Sequence, residues 1–263
     1  MTVLKDFNKR YGPWAIVAGA SEGLGAAFAK TIAQQGIDLI LIARREEKLQ
    51  KLSADLREKY GIQIIIHSQD LGELHQLSDY ISSLDLEIGL LVYNAASAPI
   101  GNFQDIALDQ ILKIADVNVK APLLMIKLMS EKMILREKGG IILMSSLSGF
   151  QGSPKISTYA ATKAFNTILA EGLWKEMKGN NIDILACCAG AVRTPGYQQA
   201  QNRKEAPGIL DASVVAGQAL SSLGKGPIHI PGLLNNFFNF ILTRLVPKKT
   251  AINIMYNNTK DLS

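Results

Sequence analysis

Tyr159 and Lys163 stand four positions apart in Tyr159-Ala160-Ala161-Thr162-Lys163. That spacing puts a phenol and an ammonium on one face of a helix. A free phenol ionises at about pH 10, too high for ready proton exchange near neutrality, and a neighbouring cation lowers that value. Upstream, Ser146 follows an apolar run in Met144-Ser145-Ser146-Leu147-Ser148-Gly149. Its hydroxyl would donate to an oxygen that gains negative charge. Asn118 falls inside a helical stretch, where asparagine is not a favoured residue. It would hold a water beside Lys163 and link the site to solvent. Together these four side chains suit reduction of a carbonyl, which needs a hydride on carbon and a proton on oxygen. Tyr159 would deliver the proton, Ser146 would steady the oxygen, and Lys163 would tune the phenol and hold a cofactor ribose. Each also has a plainer reading: a chance YxxxK, a turn hydroxyl, a tolerated polar residue.

A hydride donor needs a seat, and the chain offers one near its start. Ala18-Gly19-Ala20-Ser21-Glu22-Gly23-Leu24-Gly25 links an apolar strand to a helix. Glycines there permit a sharp turn and close approach of a pyrophosphate to the helix N-terminus. The second strand ends in Ala43-Arg44-Arg45, where an NAD enzyme usually carries an acid. Two cations at a helix start oppose its dipole, and a 2′-phosphate would explain them. NADP(H) is therefore expected over NAD(H), with solvated residues as the plainer reading of Arg44 and Arg45. Asp70-Leu71 and Asn94 sit at the ends of the third and fourth strands, the side on which open α/β sheets bind ligands. A helix cap and a turn residue are the alternatives for Asp70 and Asn94.

The elements that must position these groups alternate. Strands are expected at Trp14–Gly19, Asp38–Ala43, Gln63–His67, Ile88–Asn94, Ile141–Ser145 and Asp183–Cys188, with a later candidate at Pro227–Ile230. Helices are expected at Gly23–Gln35, Glu46–Tyr60, Leu74–Leu84, Leu108–Lys138 and Tyr159–Lys178. Wholly apolar strands separated by helices indicate one α/β domain, a doubly wound parallel sheet with helices on both faces.

Composition narrows the classes. With 48% hydrophobic and 19% charged residues over 263 positions, a large core is available and disorder is not expected. A net charge of +5, spread along the chain, does not suit nucleic-acid binding but suits a polyanionic cofactor. No signal-like or membrane-spanning run is legible, and Cys187 and Cys188 are adjacent and read as buried free thiols. A cytoplasmic location follows as the expectation, and no metal is expected.

These motifs, in order, resemble the short-chain dehydrogenase/reductase superfamily over residues 12–195. The resemblance implies a Rossmann-type sheet of about seven strands in the order 3-2-1-4-5-6-7, and homodimers or homotetramers. It implies that Gly19, Ser21, Gly23, Leu24 and Gly25 hold the pyrophosphate, that Asp70 and Leu71 reach adenine, and that Asn94 and Ala95 line the nucleotide cleft. Tyr159 and Lys163 would hold ribose, and Gly190, Val192 and Thr194 would contact the nicotinamide. Ala18, Tyr93, Ala96 and Ala189 depart from the family's usual residues, and none of them removes a catalytic group. Tyr11-Gly12-Pro13-Trp14-Ala15 is similar to the branch of hydroxysteroid and long-chain 3-oxoacyl reductases.

Residues 196–263 would carry the substrate lid and C-terminal helices. Pro195–Pro207 reads as a lid. Leu233–Val246 carries Leu234, Phe237, Phe238, Ile241 and Leu245 at helical spacing, a stripe that would face the core or a partner subunit, wall a hydrophobic substrate, or lie on a membrane. The expected activity is an NADPH-dependent reductase of a small-molecule ketone or aldehyde, including 3-oxoacyl substrates. A non-catalytic NADP-sensing or scaffold protein and a related epimerase or dehydratase are the competing readings.

Overall fold

The computed structural model describes residues 4–200 and 205–260. Short helix α1 (Phe7–Tyr11) leads into β1 (Trp14–Ala18), α2 (Gly23–Ala33), β2 (Asp38–Ala43), α3 (Glu46–Tyr60), β3 (Ile64–Ser68), α4 (Leu74–Ser83) and β4 (Ile88–Tyr93). Then come α5 (Leu108–Ala115), a π turn over Asp116–Lys120, α6 (Ala121–Leu135), β5 (Gly139–Ser146), α7 (Ser157–Glu176) and β6 (Ile182–Ala189). The remainder comprises β7 (Val192–Arg193), α8 (Pro195–Ala200), β8 (Leu210–Asp211), α9 (Ala212–Ser222), β9 (Ile228–His229), α10 (Leu233–Phe240), a second π turn over Ile241–Leu245, and α11 (Lys248–Thr259).

The sheet is parallel and runs β3-β2-β1-β4-β5-β6-β9. This is the expected seven-strand order, its last strand being the short one foreseen at Pro227–Ile230; β7 and β8 pair separately. Alternate strand residues feed two cores. Val17, Leu41, Val92, Met144 and Cys187 join α2, α3 and α9, whereas Ile16, Ile42, Tyr93, Leu143 and Cys188 join α4, α6 and α7. The two cysteines are free, buried and on opposite faces because strand side chains alternate. Strand order reverses between β1 and β4, which opens a crevice at their C-terminal ends.

Three elements differ from expectation. The stretch read as one helix from Leu108 to Lys138 is interrupted by the π turn, which carries Asn118 at its middle. The first crossover helix stops at Ala33, and the chain turns through Gly36 at φ 69°. The stripe on α10 does not face the core: Leu234, Phe237 and Phe238 are exposed, and the buried residue of that helix is Asn235. Two hydrogen bonds fix this orientation, Asn235 Nδ2 donating to the carbonyls of Gly208 (3.0 Å) and Pro231 (2.9 Å). Of the segment read as a lid, residues 201–204 lie outside the described residues.

Candidate active site

The loop between β1 and α2 is shaped for close approach. Gly19 has φ +84°, and a Cβ there would meet Ala95 Cα at 2.7 Å, while one on Gly25 would meet the Gly19 carbonyl at 1.9 Å. Asn94 Nδ2 donates to that same carbonyl at 3.0 Å, tying the end of β4 to the loop. The first turn of α2 has no side-chain cap, so its N–H groups face the crevice without an internal partner.

A cavity of about 400 Å³ opens there. Gly19, Ser21, Gly23 and Leu24 line one end, Arg44, Arg45, Asp70 and Leu71 another, and Asn94, Ala95 and Thr194 the rest. Gly25 lies behind the loop, and Tyr159, Lys163, Gly190 and Val192 are not part of the lining. The two arginines have different surroundings. Arg45 Nη2 donates to Ser21 Oγ at 3.0 Å and pairs with Glu22 at 2.5 Å, and Lys48 joins the same carboxylate. These cations hold the Glu22 carboxyl below its usual range, Lys48 first and Arg45 next. Arg44 is exposed and forms no salt bridge among the described residues. Asp70 accepts from Lys113 (2.7 Å) and from the Gly72 amide (3.0 Å), so its carboxylate braces the cavity wall.

The second group of residues is assembled by β5 and α7. Consecutive serines at the end of β5 face opposite ways. Buried Ser145 donates to the Lys163 carbonyl at 2.8 Å and clamps the helix to the strand. Half-buried Ser146 accepts from the amide (3.2 Å) and the hydroxyl (3.0 Å) of Ser148. Gly149 lets this loop lie close against α7, since a Cβ there would meet Ala164 N at 2.8 Å. Burial raises the Tyr159 phenol above its usual value, and a hydrogen bond with Ser146 opposes that rise. Lys163 lies 5.4 Å from the Tyr159 ring centroid, and its ammonium donates to the Met144 carbonyl at 2.7 Å. Burial brings the Lys163 pKa down to about 8, against a small upward pull from Cys188.

Asn118 is bonded through both side-chain atoms. Its Oδ1 accepts from the Ser97 amide at 2.7 Å, and its Nδ2 donates to the Ser97 carbonyl (2.9 Å) and to Thr162 Oγ1 (3.1 Å). The side chain braces the β4 loop against α7. Tyr93 is also a brace: fully buried, it donates to the Val117 carbonyl at 2.5 Å, inside the π turn. Ser148 and Gly149 are the residues missed by sequence reasoning. Their signal was present in the short Ser-x-Ser-Gly run beyond Ser146. Beside Tyr159, Pro99, Phe103, Ile106 and Ile114 line a small hollow of about 10 Å³ together with Lys155, Ser157 and Thr158.

Similarities to known proteins agree with this geometry. A family model for short chain dehydrogenases matches residues 13–205. A 7beta-hydroxysteroid dehydrogenase from Clostridium sardiniense is 30% identical over 235 residues, covering 88% of this chain and 89% of its own. A structure solved in work on 7beta-hydroxysteroid dehydrogenase stereoselectivity matches with a TM-score of 0.89 at 26% identity, covering 95% of this chain and 98% of its own. A mouse relative named as an inactive hydroxysteroid dehydrogenase-like protein is 27% identical, covering 92% of this chain and 75% of its own.

Proposed function

The chain belongs to the short-chain dehydrogenase/reductase family, and from that premise we propose that it is an NADPH-dependent oxidoreductase interconverting a hydrophobic ketone or aldehyde and its alcohol. The observation that carries this reading is the meeting of Ser146, Tyr159 and Lys163 at the β5–α7 junction. A nicotinamide cofactor fits the residues present: the uncapped α2 terminus and the Gly19 cradle suit a pyrophosphate, and Arg44, in no salt bridge among the described residues, suits a 2′-phosphate. Leu71 and Asp70 would bound the adenine end, and Gly190, Val192 and Thr194 would border the nicotinamide. When bound, the cofactor supplies the hydride.

The chain's own groups would manage the proton. Ser146 accepts two hydrogen bonds from Ser148, so its own hydrogen is left to point towards Tyr159 or a substrate oxygen. Tyr159, kept protonated by burial, would give its proton to that oxygen. Lys163 would compensate the phenolate left behind, a task that requires the charged ammonium.

Two expectations follow from this arrangement. Because the Lys163 pKa is lowered to about 8 while that of Tyr159 is raised, the reduction rate should fall as pH rises through about 8. Lys163→Arg should move that falling limb upward, and an identical profile in both proteins would remove Lys163 from the mechanism. Ser148→Ala should lower kcat about five- to tenfold, the worth of one orienting hydrogen bond, with KM little changed. Ser148→Thr should restore most of the rate; equal losses in both variants would make the contact merely structural.

The inactive relative favours a second reading, a non-catalytic nucleotide-binding protein. Following NADPH absorbance with a panel of ketones, aldehydes and 3-oxoacyl thioesters separates the two. Turnover of any carbonyl supports the enzyme, and tight NADPH binding with no turnover supports the alternative.

A further inference from the structure

We propose that α10 and the π turn that follows it dock on an anionic lipid surface, the apolar face entering the headgroup region and the neighbouring cations meeting lipid phosphates. The helix is inverted relative to an ordinary surface helix. Its polar side faces the protein, where Asn235 is buried and bonded to the Gly208 and Pro231 carbonyls. Its apolar side faces outward: Leu233 is 91% exposed, Leu234 60%, Phe237 59% and Phe240 55%, and Leu245 in the π turn is 67% exposed. A contiguous apolar face of this kind is one that soluble surfaces rarely leave uncovered.

Charge identifies what covers it. No acidic residue occurs between Asp211 and Asp261, a stretch that carries Lys225, Arg244, Lys248, Lys249 and Lys260. Arg244 lies within the π turn, and Lys248 and Lys249 open α11, where cations oppose the helix dipole. Lys248 donates to the Phe150 carbonyl at 3.1 Å, whereas Arg244 and Lys249 have no hydrogen-bond or salt-bridge partner among the described residues. Two copies meeting through this face would set cation against cation with no acid to offset them. An anionic bilayer matches both the apolar face and its charge. No helix among the described residues is long and apolar enough to cross a membrane, which fits a helix lying in the interface plane.

The test is flotation of the full chain with vesicles of phosphatidylcholine alone or mixed with phosphatidylglycerol. The chain should rise with the mixed vesicles and stay down with the neutral ones, a difference of about a hundredfold in partitioning for three cations near the surface. Phe237→Ser with Phe238→Ser should abolish flotation, and Arg244→Gln with Lys249→Gln should weaken it at least about tenfold. These side chains are exposed, so the melting temperature should be unchanged. The wild-type comparison needs no variant at all. Failure to float with anionic vesicles overturns the proposal. So does a larger species in size-exclusion chromatography that shrinks in the phenylalanine variant, because that would assign the face to a second copy. Neither outcome depends on catalysis.

Discussion

Tyr159→Phe should cut turnover by about a hundredfold to ten-thousandfold while leaving NADPH affinity within about twofold. The substitution deletes one oxygen and keeps the ring that lies 5.4 Å from the Lys163 ammonium, so the local packing survives. What disappears is the proton donor. Ser146 would still polarise a carbonyl, but the developing alkoxide would have to draw its proton from water. Residual activity should therefore show a different pH dependence, without the limb set by Lys163. Cofactor affinity, followed by quenching of intrinsic fluorescence, separates loss of chemistry from loss of the site. A Tyr159→Phe protein with full activity would falsify the proposed mechanism outright.

Arg44→Asp should raise the KM for NADPH by about 10- to 150-fold and move preference towards NADH. The magnitude is that of one charge-assisted hydrogen bond, about 1.5–3 kcal/mol. The choice of Arg44 over its neighbour comes from the structure. Arg45 is already held by Glu22 and Ser21, whereas Arg44 lines the same cavity with no carboxylate partner among the described residues. An aspartate at that strand end would also accept from a ribose 2′-hydroxyl, as acids there do in NAD enzymes. Arg45→Ala should cost affinity for either cofactor, because it releases the loop that carries Ser21 and Glu22. Steady-state kinetics with both cofactors measures each outcome, and unchanged discrimination in Arg44→Asp refutes the 2′-phosphate assignment.

Much of the fold was legible because its signals are local. Asp38–Ala43 and Ile88–Asn94 read as buried parallel strands, being apolar without alternation, and both form strands of the central sheet, at Asp38–Ala43 and Ile88–Tyr93. The Gly19 turn was readable from residue type, since φ +84° excludes most side chains. The π turn was not legible, because a single extra residue in a helical repeat leaves the hydrophobic period almost unchanged. Its presence rests on long-range contacts, including the Tyr93 hydroxyl on the Val117 carbonyl. The direction of α10 stayed open in the sequence for a related reason. The apolar stripe predicts a buried face, but two hydrogen bonds from Asn235 decide which side meets the protein.

The amino-acid sequence by itself determined the strand and helix alternation, the glycine turn and the helical pairing of Tyr159 with Lys163, because each depends on neighbours a few residues away. Only the tertiary structure decided how polar groups spend their hydrogen bonds. Asn118 reaches Thr162 across 44 residues and Asn94 reaches Gly19 across 75, and Lys163 donates to Met144. Such bonds form between groups that packing brings together, so spacing along the chain cannot reveal which donor is committed and which, like Arg44, has no side-chain partner among the described residues.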